Sequence, residues 1–176
     1  MRKCYLFTLL VSVLFCCTLK AQTTKTIDVT QPGTLSTMLG ETLKSVKDLS
    51  ITGKINSADI DALMQAGALE VLNLLDATIV DAEGKETTVF PGYTLRKHPS
   101  LTTLTFPKTV TSIGAGAFFK CLKLKKVVLP EAIKKLSESV FMSCSALSEI
   151  NFPNGLESIG RSALYMTAIT DFIAPK

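Results

Sequence analysis

One histidine and two cysteines stand at equal intervals in the chain: His98, Cys121 and Cys144, each 23 residues from the next. Imidazole and thiolate are good zinc ligands, and three such ligands with water in the fourth position make a hydrolytic centre. A metal-dependent hydrolase built on this column is one reading. The other is structural. Each of the three lies three residues ahead of a leucine (Leu101, Leu124, Leu147), and cysteine packs as a small buried hydrophobe. The structural reading is preferred, because the spacing belongs to far more than these three residues. A Cys121–Cys144 disulfide is a further option. Adjacent turns of a coil fall within the required Cα range of about 4.4–6.8 Å, but side chains aimed the same way are poorly placed for it.

The other chemistry-bearing residues form no constellation. Glu149 and Asp171 share a column with Thr103 and Lys126. Lys126 stacked on Glu149 is an exposed ion pair, worth roughly 0–1 kcal/mol, not an acid–base couple. Gly114-x-Gly116 lacks the third glycine and the preceding long strand of a phosphate loop. "TLSTMLGETLKS" has hydroxyls but no nearby histidine. Lys123, Lys125, Lys126, Lys134 and Lys135 cluster, but Glu131 and Glu138 lie in the same unit, and solubility is the preferred role. No catalytic residue and no cofactor is expected.

Stepping outward from these residues, a period governs the sequence. Pro107, Pro130 and Pro153 are 23 apart. Leu101, Leu124, Leu147 and Ile169 open successive units, followed by Leu104, Val127, Ile150 and Phe172, then by Phe106, Leu129, Phe152 and Ala174. Val110, Ile133 and Leu156 match, as do Ile113, Leu136 and Ile159, and so do Phe118, Phe141 and Leu164. L-x-x-L-x-F is a short strand whose alternate residues face one way. Proline, with no N–H, stops it. V-x-x-I is a second extended piece on the far side of a coil, and Gly114 and Gly160 allow the turn after it. The Ala-Phe pair begins a helical or irregular return. One unit offers about eight apolar side chains worth roughly 1.5–3 kcal/mol each when buried. Ordering its backbone costs roughly 1–2 kcal/mol per residue. A single coil cannot stand alone, so coils must stack.

The template extends backwards to Val46-x-x-Leu49-x-Ile51 and Leu69-x-x-Leu72-x-Leu74. Ser57 to Met64 reads as a helix capped by Asn56 or Ser57. The step from Leu69 to Leu101 is 32 residues, so an insertion falls at about 76–90, with Asp76 to Thr88 as its loop. Thr26 to Val29 reads as a strand, and Thr34 to Leu43 as an amphipathic helix with Leu35, Met38, Leu39 and Leu43 inward. The expected organisation is a signal peptide over 1–21, an N-terminal cap over 22–45 and a solenoid over 46–176 of about six units, the last incomplete. Arg2, Lys3 and a charge-free apolar run from Tyr5 to Leu19 carry the first assignment. That run is short for a membrane span. Acylation at Cys17 is a second possibility. Loss of residues 1–21 lowers the net charge from +4 to +1, which removes any argument for nucleic acid.

"LTTLTFPKTVTSIGAGAFFKC" and "LSEINFPNGLESIGRSALY" resemble the repeating unit of BspA-type bacterial leucine-rich-repeat surface proteins, L-x-x-[LIV]-x-[LIF]-P-x-x-[VIL]-x-x-I-G-x-x-A-F-x-x-C. The likeness covers about residues 90–176 closely and 46–80 more loosely. Leu164 departs from the second Phe of the unit. The resemblance implies an α/β repeat fold, a leucine-rich-repeat solenoid of stacked short parallel strands. It also implies a secreted or surface protein that adheres to or binds proteins, including host matrix, with no catalytic residues. In such repeats the corner occupied by His98, Cys121 and Cys144 holds small or polar residues that satisfy backbone groups. The expected binding surface is the outward strand face: Thr103, Thr105, Lys126, Val128, Glu149, Asn151, Asp171 and Ile173. Two further expectations concern the incomplete final unit: self-association through its open edge, or a truncated fragment with no independent role.

Overall fold

The computed structural model describes residues 24–170. The signal-peptide assignment, Cys17, Asp171, Ile173 and the rest of the final unit lie outside them. The chain winds as a coil whose successive turns stack through two parallel sheets. The long sheet contains β1 (Lys25–Val29), β2 (Asp48–Ile55), β3 (Val71–Asn73), β6 (Thr103–Thr105), β8 (Lys126–Val128) and β10 (Glu149–Ile150), in that order. β4 (Ala77–Ile79) lies beside the second half of β2. The opposite wall is a sheet of β5 (Val89–Phe90), β7 (Ser112–Ile113), β9 (Lys135–Leu136) and β11 (Ser158–Ile159).

The register follows the columns of the sequence. Leu49 lies opposite Leu72, Leu72 opposite Leu104, Leu104 opposite Val127, and Val127 opposite Ile150. Leu101, Leu124 and Leu147 are each fully buried. The core between the walls is aromatic at its centre. Phe118 stacks on Phe90 and on Phe141, with ring centroids 5.6 Å apart in both pairs, and Phe106 meets Phe90 and Phe118 edge-on at 5.1 and 5.5 Å. Phe90 extends the Ile113–Leu136 column one turn back.

Three expectations are modified. The segment read as a cap includes β1, which pairs with β2 in register (Ile27 opposite Ile51) and so forms the outermost coil. The helix expected over 34–43 is a short α1 (Leu35–Leu39) followed by a 3-10 turn, and Met38 is 43% exposed. Breaking the helix at Gly40 turns Leu43 inward and leaves Met38 outside. The insertion is shorter than 76–90. Ala77, Ile79 and Val80 are apolar and buried, so they join the coil as β4, and the outward loop is confined to 81–88, closed by a bridge between Val80 and Glu86. Of the two returns expected for the Ala-Phe segments, the irregular one is found: among the described residues the α-helices are α1 and α2 (Ser57–Ala62) alone.

α2 carries the capping box that its sequence allows. The Asn56 side chain accepts from the Asp59 N–H, and the Asp59 carboxylate accepts from Asn56 N–H. The same buried carboxylate also accepts from Gly33 N–H at 2.6 Å and Leu35 N–H at 2.9 Å. Asp59 thus ties the outermost coil to the next through backbone donors that would otherwise be unpaired.

The later turns depend on left-handed backbone at fixed places. Tyr93, Gly116, Ser139 and Ser162 have φ between 55° and 59°, and Lys97, Lys120, Ser143 and Met166 between 57° and 61°. Each series has the 23-residue step. Gly114 and Gly160 serve differently. A Cβ on Gly114 would sit 2.4 Å from Gly92 N, and one on Gly160 would sit 2.5 Å from Ser137 C. Glycine there lets neighbouring coils approach. Ser137 occupies the same column, and its N–H bond to the previous coil is 3.2 Å, against 2.8 Å at Gly114 and 2.7 Å at Gly160.

Candidate functional site

The corner column comes together as its spacing requires, but its polar atoms point at the backbone. Cys121 Sγ donates to Leu95 O and Cys144 Sγ to Phe118 O, both at 3.1 Å and both 26 residues back. His98 Nε2 meets Leu63 O at 3.2 Å, which is the same bond lengthened by the nine inserted residues. His98 Nδ1 accepts from Leu101 N–H at 3.1 Å, so Nε2 carries the proton and donates. Each of these carbonyls also takes an N–H from its own coil: Leu63 O from Ala66, Leu95 O from His98, Phe118 O from Cys121. At these three turns the column therefore supplies the second donor to a doubly accepting carbonyl. Thr167, the next member, folds back to Leu164 O instead.

In that arrangement each of the three side chains spends a polar atom on a different backbone carbonyl. His98 is 2% exposed and both thiols are buried and free. Among the described residues no three His, Cys, Asp or Glu side chains are grouped to hold a metal ion. Burial holds the His98 imidazole below its ordinary pKa, against the opposing pull of the Leu63 carbonyl. Hydrogen bonding to the neighbouring Cys121 thiol, and then burial, push the Cys144 thiol up, while the same contact pulls the Cys121 thiol down against the effect of burial. A neutral imidazole and a protonated thiol are the forms that donate to carbonyls.

The outward face of the long sheet gathers most of the expected surface residues. Thr103, Lys126 and Glu149 stand opposite one another on β6, β8 and β10, and Thr105 stands opposite Val128. Lys126 Nζ pairs with Glu149 at 3.2 Å, both exposed. Asn151 is turned to the backbone. Its Oδ1 accepts from Leu129 N–H at 2.7 Å and its Nδ2 donates to Leu129 O at 2.9 Å, so its amide completes the ladder where the strand has ended. A shallow depression of about 540 Å³ runs over Lys126, Val128, Glu149 and Asn151. The same face continues back through Asp48 and Ser50 on β2 and Val71 and Asn73 on β3. These four were legible from the L-x-x-L-x-L template, whose x positions they occupy.

The sequence profile of the BspA type leucine-rich repeat region matches residues 84–176 in six copies. The chain belongs to that family. A crystal structure of a leucine-rich repeat protein from Eubacterium ventriosum aligns over 73% of this chain at 23% identity, with a TM-score of 0.55. This chain spans 32% of that protein's length, so the likeness speaks for the fold. Leucine-rich repeat proteins of T. pallidum (24% identity, TM-score 0.43, 64% of this chain and 60% of that one) and Bacteroides ovatus (21%, 0.37, 75% and 44%) are more distant in shape. No curated protein matches. Among the described residues no helix is long and apolar enough to cross a membrane.

Proposed function

We propose that this BspA-type chain is an exported, non-enzymatic recognition module that binds a protein partner through the outward face of its long sheet. One observation carries the reading: five parallel strands present their outward residues in unbroken register, from Thr26 and Ser50 through Asn73 to Thr105 and Val128. A continuous ladder of small polar and β-branched side chains gives a partner a rigid surface with little side-chain entropy to lose. The corner column, the usual place to look for chemistry, is taken up by backbone carbonyls. Residues 1–21 serve as the export signal, 22–45 as the terminal unit and 46–176 as the repeat body, with host matrix or another cell's surface protein as the partner class. Asp171 and Ile173 continue the face in sequence terms.

The test is binding of the mature chain to an array of matrix and cell-surface proteins, with a Thr103→Arg/Thr105→Arg variant as control. Two bulky cations planted in the middle of the face abolish binding while the thermal midpoint holds. Binding that survives the double substitution overturns the surface assignment. N-terminal sequencing of the exported protein checks the signal: a start at Gln22 supports it, and a blocked, lipid-labelled start at Cys17 replaces free secretion with anchoring.

A further inference from the structure

Charge is segregated along this chain. Residues 87–130 contain seven cations (one Arg, six Lys) and no Asp or Glu. Two of these are neutralised from outside the stretch: Lys108 by Asp76 at 2.7 Å, and Lys126 by Glu149 at 3.2 Å. Arg96, Lys97, Lys120, Lys123 and Lys125 have no ion-pair partner among the described residues. Outside the stretch, Lys47 pairs with Glu70, Lys54 with Glu86 and Lys134 with Glu157.

Three of the unpaired cations, Lys97, Lys120 and Lys123, lie together at one corner. Lys97, Pro99, Lys120, Leu122 and Lys123 line a groove of about 300 Å³ with His98. Its frame is rigid. Lys97 and Lys120 hold left-handed backbone, and their N–H groups donate to Phe119 O at 2.8 Å and Met142 O at 2.9 Å in the next coil. Leu122 is 59% exposed within this groove. His98 has both ring nitrogens engaged with Leu63 O and Leu101 N–H, so it brings no free donor. The groove therefore combines an apolar contact with like charges that repel one another until a counter-charge arrives.

We propose that this corner groove docks an acidic peptide segment of a partner protein, its carboxylates held by Lys97, Lys120 and Lys123 and an apolar side chain seated on Leu122 and Pro99. The apolar centre favours a peptide over a sulfated polysaccharide, which has nothing to place there. The lining offers no Phe, Tyr or Trp on which a nucleobase would stack. The site is at the coil corner and does not depend on the sheet face serving as a binding surface.

The experiment uses the mature chain and a labelled peptide alternating glutamate with leucine, read by fluorescence anisotropy. Binding at low salt weakens as ionic strength rises. Lys97→Asn/Lys120→Asn/Lys123→Gln weakens it by about tenfold or more; asparagine tolerates the left-handed backbone at 97 and 120. Leu122→Ser weakens the Glu-Leu peptide but not plain polyglutamate. Lys134→Gln/Lys135→Gln and Thr103→Arg/Thr105→Arg leave the peptide affinity unchanged, which separates this site from the sheet face. Should the triple variant fail to fold, Lys123→Glu alone, on unstrained backbone, must still weaken binding. Unchanged affinity in a folded groove variant overturns the proposal, as does tighter binding of heparin or single-stranded DNA than of the peptide at matched salt.

Discussion

Ser143 offers a direct measure of what the turns cost. Its φ is 61°, in the region that costs a side-chain-bearing residue roughly 1–2 kcal/mol. Its N–H donates to Tyr165 O at 2.8 Å, and its hydroxyl makes only an exposed 3.9 Å contact with Met166 Sδ. Ser143→Gly keeps the backbone bond, loses almost nothing in side-chain contact and relieves the conformational cost. Against that gain stands the greater entropy of glycine in the unfolded chain, roughly 0.5–1 kcal/mol. The balance is a stabilisation of about 0.5–1 kcal/mol. Ser143→Val places a β-branched side chain in the same conformation and loses about 1–2 kcal/mol. Urea unfolding of the mature chain, followed by circular dichroism, should rank Gly above Ser above Val, with about 2 kcal/mol between the extremes. A destabilising glycine, or a valine no worse than serine, would refute the assignment of a left-handed backbone to this column and to its members Lys97, Lys120 and Met166.

Other expectations follow from the packing and the corner column. Phe118→Ala removes the ring that Phe90, Phe106 and Phe141 all contact, and should cost roughly 3–5 kcal/mol in the same assay; a loss under 1 kcal/mol would mean the rings do not interlock. His98 is the chain's single histidine, so its titration can be isolated. Burial lowers its folded pKa, and the unfolded chain therefore binds more protons below the unfolded value of about 6.5. Stability is full above that pH and falls as pH drops through it toward the folded pKa, at no more than about 1.4 kcal/mol per unit; a flat profile from pH 7 to 5.5, or one unchanged in His98→Gln, contradicts the buried neutral imidazole. Cys121 and Cys144 should resist a water-soluble thiol reagent in the native protein and react fully on unfolding. Gly160→Ala pushes against Ser137, but because Ser137 itself carries a side chain in that column at the expense of a longer hydrogen bond, the cost should be only about 1 kcal/mol.

The parts of this fold that were readable are those where a side chain reports its own environment. Leu104, Val127 and Ile150 are apolar because they are interior, and their 23-residue spacing gives the register that pairs them. The 32-residue step from Leu72 to Leu104 marked an insertion for the same reason. Its extent was misjudged because Ala77, Ile79 and Val80 alternate weakly and sit beside a polar loop. The left-handed turns were hidden: of eight such positions one is glycine, and the others are Tyr, Lys, Ser and Met, so composition gives no sign and only the repeat of φ shows them. Glycine was expected to allow a turn at Gly114 and Gly160, where its real use is close approach of two coils. The Lys97–Lys120 corner was missed because the lysines most visible in sequence, 123 to 135, straddle the coil, and two of those five, Lys126 and Lys134, face carboxylates.

The corner column shows how a period can imitate a site. His, Cys and Cys at matching intervals meet the compositional test for a metal centre, yet stacking in register sends each side chain to the same atom of the previous coil. Three donors so placed reach three carbonyls, one per turn, rather than converging on a single point. A fold that repeats by translation spreads its functional groups along an axis, and convergence demands a break in the repeat. In this chain the breaks are the 81–88 loop and the unneutralised stretch from 87 to 130. The second collects cations from adjacent coils around one exposed leucine, and there, if a specific contact departs from the uniform sheet face, the physics of the repeat places it.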